Sequence, residues 1–212
     1  MTNTTWNKSV RIKRRLIDKI QYNQGIPYYN GRRVIEKDSP IDGGVCLGEG
    51  EREAIVIDSV KYPEIRRLYE IAKKKATRKG RINKNYIIYA VYNTVKEALP
   101  EQNNNLVEQI AAKYEVSRDK EIPIDIFVIN QTGVCRQDAL LCGVLLEKFK
   151  KDGYVRGKIS IDRNSRQEGG HVWCRYTNSA GEVTILDVAQ NFFDDIEKAT
   201  EKTWSYKRPT DK

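Results

Sequence analysis

Cys135, His171 and Asp187 are the residues of this chain best suited to bond-making chemistry, and His171 is its single histidine. The histidine lies 36 residues after the cysteine and 16 before the aspartate. A thiol nucleophile, an imidazole base and a carboxylate that orients the base would form a cysteine-type acyl-transfer site. The segments around the three residues decide whether they can meet.

Cys135 opens the stretch GVCRQDALLCGVLLEKFKK (133–151). Ala139, Leu140, Leu141, Cys142, Val144, Leu145, Leu146 and Phe149 cover most of the circumference of a helix there, the mark of a buried central helix. Cys135 then falls in the first turn, where unpaired backbone N–H groups and the positive end of the helix dipole stabilise an anion. Such a position favours the reactive thiolate. The Cys135 N–H is also the best donor for an oxyanion formed when a carbonyl is attacked. Gln131, four residues earlier, is a side-chain candidate for the same task. A free cysteine is often just a buried small residue, and Cys142 fits that description. Cys135 fits it less well, because Arg136, Gln137 and Asp138 give it a polar edge.

Beyond Gly153 the apolar period changes to two. YVRGKISI (154–161) alternates as a strand, DRNSRQEGG (162–170) reads as a polar loop, and HVWCRYT (171–177) and EVTILDV (182–188) read as a hairpin joined by NSAG. If Tyr176 opposes Glu182, then His171 opposes Asp187 and both side chains share a face. A slip of one residue would separate them. The first register, with a five-residue connection, is therefore expected. It puts Trp173 and Ile185 on the catalytic face and Val172, Cys174, Leu186 and Val188 on the other. Asp187 inside ILDV would be costly to bury without a partner, which the imidazole supplies by presenting its Nδ1–H. Capping a turn is the other role open to Asp187.

The preceding segments supply the elements that must position these residues. Val10, Ile12, Leu16, Ile17 and Ile20 suggest an amphipathic helix at about 9–21. QGIPYYNG (24–31) and SPIDGG (39–44) are turn-rich, so residues 1–60 are expected to be an N-terminal extension or cover, and 61–212 the core. EAIVIDSV (53–60) reads as a strand or extended connection. Pro63 starts a helix that Gly80 closes, and NKNYIIYAVYNTVKEAL (83–99) forms a second that Pro100 stops. A short third helix runs from Asn105 to about Tyr114. IPIDIFVI (122–129) is expected to be extended.

The bulk composition narrows the function classes. Lys plus Arg number 38 against 29 Asp plus Glu, a net charge of +9 concentrated in the first 81 residues. This excess favours an acidic protein partner through the basic N-terminal half, although charge runs usually serve solubility. Tyr28, Tyr29, Arg32 and Arg33 are the only tight aromatic and basic cluster, too slight to support nucleic-acid binding. No run of about 18 apolar residues suggests a membrane helix, and no signal peptide is recognisable. A soluble cytoplasmic protein is expected. Export as an injected effector is left open, since such proteins often lack ordinary signal peptides. Four scattered cysteines make a disulfide framework a poor reading. No CxxC pair accompanies HxxC (171–174), so no metal and no cofactor is expected.

GVCRQDA around Cys135, GGHVW around His171 and ILDVAQ around Asp187 resemble the three motifs of the transglutaminase-like core, a papain-related superfamily. The likeness spans about residues 60–195. It implies an α+β, papain-like fold, in which a central helix bearing the nucleophile packs on an antiparallel sheet, here with a helical N-terminal elaboration. It further implies Cys135 as nucleophile, His171 as base and then acid, Asp187 as orienter, and Trp173 as the aromatic beside the histidine at the substrate site. No calcium-site run is recognisable, and calcium dependence is not implied. The expected activity is a cysteine-dependent hydrolase or acyltransferase acting on an amide of a protein or peptide. It could be a protease, a deamidase or a transglutaminase. The competing reading is a catalytically silent basic binding module for an acidic protein or nucleic acid.

Overall fold

A helix that is apolar on all sides needs partners on all sides, and the rest of the chain supplies them. In a computed structural model, residues 19–48, 54–115, 121–166, 169–200 and 204–211 are described, and they form an α+β protein. The helices are α1 (Pro63–Ala76), α2 (Ile87–Ala98), α3 (Asn104–Glu115), α4 (Ile124–Ile129) and α5 (Cys135–Lys151). Helix α5 is the axis. Leu140, Leu141, Cys142, Val144, Leu145, Leu146 and Phe149 along it are all fully buried. Helices α1 and α2 pack on one side of α5, and a four-stranded sheet packs on the other.

That sheet is antiparallel throughout and runs in sequence order: β11 (Lys158–Arg166), β12 (Gly169–Thr177), β13 (Val183–Asp187) and β14 (Phe192–Asp195). Its inner face sends Ile159, Ile161, Cys174, Tyr176 and Leu186 against α5. Gly143 allows the approach to be close. A Cβ there would meet Ile41 Cδ1 at 2.5 Å and Ile161 Cδ1 at 2.9 Å, distances at which a well-packed core must shift. The outer face carries Ser160, Asp162, His171, Trp173, Arg175, Ile185 and Asp187, by the strict alternation of a strand.

The remaining strands are short. A meander of β1 (Ile20–Asn23), β2 (Ile26–Tyr29) and β3 (Arg32–Arg33) lies beside β4 (Val45–Leu47), which pairs with β5 (Ala54–Val56). Strand β5 runs parallel to β9 (Glu121–Pro123). Ile41, Ile55 and Ile57, from the segment before residue 61, are fully buried in the same core as α5. The helix expected at about 9–21 lies largely outside the described residues, and Ile20–Asn23 is a strand.

Three local expectations are corrected. The first helix stops at Ala76 instead of running to Gly80, because β6 (Thr77–Arg78) turns back on β7 (Arg81–Ile82) with Gly80 at φ 75°. The extended reading of 122–129 holds only to Pro123. Ile124, Phe127 and Val128 then form one buried helical face, and Asp125 Oδ2 accepts the Glu64 N–H at the start of α1 (2.9 Å). The polar segment 162–170 is mostly strand, not loop. Antiparallel pairing carries it out to Asn164↔His171 and Arg166↔Gly169.

Candidate active site

The strand β8 (Glu101–Gln102) runs parallel to β10 (Thr132–Gly133), and this pair delivers the chain to Val134, the residue before α5. Gln137 Oε1 accepts the Val134 N–H at 3.2 Å, which fixes the chain's entry into the helix. Cys135 is thus the first helical residue, and the N–H groups of its turn have no intrahelical acceptor. The cysteine is half-buried, whereas Gln137 and Asp138 behind it are buried.

The β12–β13 hairpin uses a register that differs from the expected one by two positions. Tyr176 opposes Thr184, and Thr177 opposes Val183, with Asn178–Glu182 as the five-residue connection. His171 therefore does not sit directly across from Asp187. Two positions preserve the side-chain face, so the two residues still meet on the diagonal. His171 Nε2 lies 2.5 Å from Asp187 Oδ2. The orientation corrects a second expectation. Nε2, not Nδ1, faces the carboxylate. Pairing with β13 stops at Cys174↔Leu186, so His171 has a strand neighbour on the β11 side only, and its ring is open toward the start of α5. There Cys135 is close enough to act on the imidazole and raise its pKa. Asp187 also caps a turn, its Oδ1 accepting the Gln190 N–H (3.1 Å), so it contacts the imidazole and holds a turn at once.

Burial alone would lower the pKa of His171, which is 4% exposed. The hydrogen bonds and charges of Asp187 and Cys135 outweigh that effect and lift the imidazole to about 9. The thiols of Cys142 and Cys174, both fully buried, are pushed up by loss of hydration. Cys46, half-buried on β4, is raised for the same reason.

Trp173 is buried beside the imidazole, with ring centroids 6.1 Å apart. Gln131 is exposed, in a left-handed turn at φ 53°, and its carbonyl accepts the Glu101 N–H at 3.4 Å. Three site residues escape a reading of the sequence. Tyr206 O–H donates to the same Asp187 oxygen at 2.8 Å, and Trp204 stacks on the His171 ring at 4.8 Å. Gln102 Nε2 donates to Asp138 Oδ2 at 2.8 Å, which ties β8 to the first turn of α5. The only signal in the sequence was the WSY triplet (204–206), whose aromatics suggest burial without saying where.

Asp138 has an energetic consequence of its own. Burial lifts its pKa from 3.8 to about 7; the Gln102 amide and His171 pull it down, while the Asp187 charge adds to the rise. A raised carboxyl favours the folded state most below its unfolded value and destabilises it progressively as pH climbs through about 7. Asp138→Asn keeps the shape and removes the charge. In urea titrations its advantage over the wild type should widen by about 2–3 kcal/mol between about pH 5 and about pH 8.5. Parallel midpoints at the two pH values would show that Asp138 does not titrate in this range.

No protein-family model, curated protein or solved structure matches this chain. Among the described residues no helix is long and apolar enough to cross a membrane.

Proposed function

We propose that the protein is a cysteine-dependent hydrolase or acyltransferase that acts on an amide of a protein or peptide through a thioester. The observation that carries this reading is the convergence of Cys135, the first residue of α5, with His171, whose Nε2 is bonded to Asp187. The resemblance of its three motifs to the transglutaminase-like, papain-related core supports it, as does the packing of α5 on an antiparallel sheet that carries the histidine and the aspartate.

The Cys135 sulfur attacks the amide carbonyl, forming a C–S bond, and the oxyanion is met by the N–H groups of the first turn. The C–N bond then breaks as His171 passes its proton to the departing amine. Water, deprotonated by His171, completes hydrolysis by forming a C–O bond and releasing the thiol; an amine in the same place completes transamidation. Asp187 keeps the ring turned so that Nδ1 faces the sulfur.

Mass spectrometry of a cell lysate incubated with the wild type and with Cys135→Ala tests the proposal. New peptide termini, +1 Da deamidations or isopeptide crosslinks that depend on Cys135 are expected, and each outcome names a different chemistry. Identical lysates would favour the silent binding module.

A further inference from the structure

Residues 204–211 form no helix or strand, yet side-chain bonds and ring packing hold them along the outer face of the sheet. Arg208 is the main anchor. Its Nε donates to Asp162 Oδ2 (2.7 Å), and its NH2 group reaches Asp162 Oδ1 (2.5 Å), Ser160 Oγ (2.9 Å) and Asp38 Oδ1 (3.0 Å). A second fork, Arg175 to both oxygens of Asp211 at 2.8 and 2.6 Å, fixes the distal end. Paired forks of this kind set geometry as well as supplying energy.

The residues so delivered sit on the catalytic histidine and its carboxylate. Trp204 covers one face of the imidazole, at an interplanar angle of 20°. Tyr206 is 1% exposed, with its ring stacked on Phe192 at 5.1 Å and edge-on to Trp173 at 5.0 Å. Its hydroxyl spends its one proton on Asp187 Oδ2, the atom that also receives His171 Nε2. With Gln190 N–H on Oδ1, both carboxylate oxygens are fixed. A carboxylate that cannot rotate is what an orienting residue requires.

We infer that segment 204–211 is a strap that completes the active site, and that Tyr206 is a positioning residue which locks Asp187 and, through it, the His171 ring. This rests on the proposed acyl-transfer reading. The titratable groups facing the imidazole are Cys135 and Asp138 of α5 and Asp187 of β13, with Tyr92 of α2 and Tyr206 reaching it through Asp187. β11 presents the neutral Asn164 opposite it.

Because the chain has one histidine, the ring-proton resonances of the untagged protein report His171 without assignment. Tyr206→Phe keeps the ring contacts and removes only the O–H. The carboxylate then shares its charge with one donor fewer and holds the imidazolium more strongly, so the His171 midpoint moves up by about half a unit. With Asp187 free to turn, the plateau rate of Cys135 alkylation by iodoacetamide falls about threefold or more. A purely structural tyrosine would lower the melting temperature and leave the midpoint in place; that result overturns the proposal. If Tyr206→Phe does not fold, Arg208→Lys decides. It keeps the charge but loses the fork, and an unmoved midpoint there is equally fatal. The two readings fail separately. A wild-type Cys135 that reacts no faster than Cys46 sinks the nucleophile, whereas a fast Cys135 with an unmoved His171 midpoint sinks only the strap.

Discussion

His171→Ala should slow the alkylation of Cys135 by iodoacetamide at neutral pH about a hundredfold, the usual worth of a positioned base. Cys46, Cys142 and Cys174 should keep their slow rates, since burial and not His171 sets them. The comparison within one molecule is what gives the experiment force. Quantified by peptide mass spectrometry, an unchanged Cys135 rate would remove His171 from the chemistry. The pH dependence follows from the same bonds. The imidazole is lifted to about 9 by Asp187 and Cys135 against the effect of burial, so it keeps its proton throughout the neutral range and loses it above about pH 9, and the proposed proton transfer to a leaving amine would fade over the same range. The linked stability has the matching sign. A histidine raised from 6.5 to about 9 contributes stability that is full below 6.5 and is lost as pH rises through 9.

Asp187→Ala should be the most destabilising single change at the site, costing about 3–5 kcal/mol in urea denaturation. Removing this carboxylate strands two buried donors at once, the His171 ring and the Tyr206 hydroxyl, and releases the turn held by the Gln190 N–H. Asp187 itself is 2% exposed, so no solvent would replace it. Asp187→Asn separates stability from chemistry. The amide keeps the volume and can still accept from Tyr206 or Gln190, so it should cost less than half as much. Yet it cannot support an imidazolium, and Cys135 reactivity should still fall by about two orders of magnitude. Equal losses of stability in the two variants would mean that packing, not charge, makes Asp187 indispensable.

The parts of the site legible in the sequence are those where a local rule has one answer. Apolar residues on every side of 139–149 make a buried helix, and Cys135 falls at its start by counting. The strand faces are equally constrained, and Trp173 and Ile185 do share one face while Cys174 and Leu186 share the other. The two-position slide of the hairpin is invisible to that reasoning, because an even shift moves no side chain through the sheet. Six residues of helix at Ile124–Ile129 escape because so short an apolar run suits either period. Tyr206, Trp204 and Gln102 escape for a different reason. Each is bound to the site by where the chain travels in space, and no spacing records that path.

Arg208 and Asp38 are 170 positions apart in the chain, and their contact gives the order of assembly a physical direction. The entropy of closing a loop grows with its length and must be offset by contacts already made. The hairpins of the sheet join much nearer neighbours, with β12 and β13 separated only by Asn178–Glu182. On this ground the closure of the strap is expected to follow that of the hairpins. A molecule can pair its strands before residues 204–211 cross the outer face, so the proposed cover over His171 would come after the sheet that carries it.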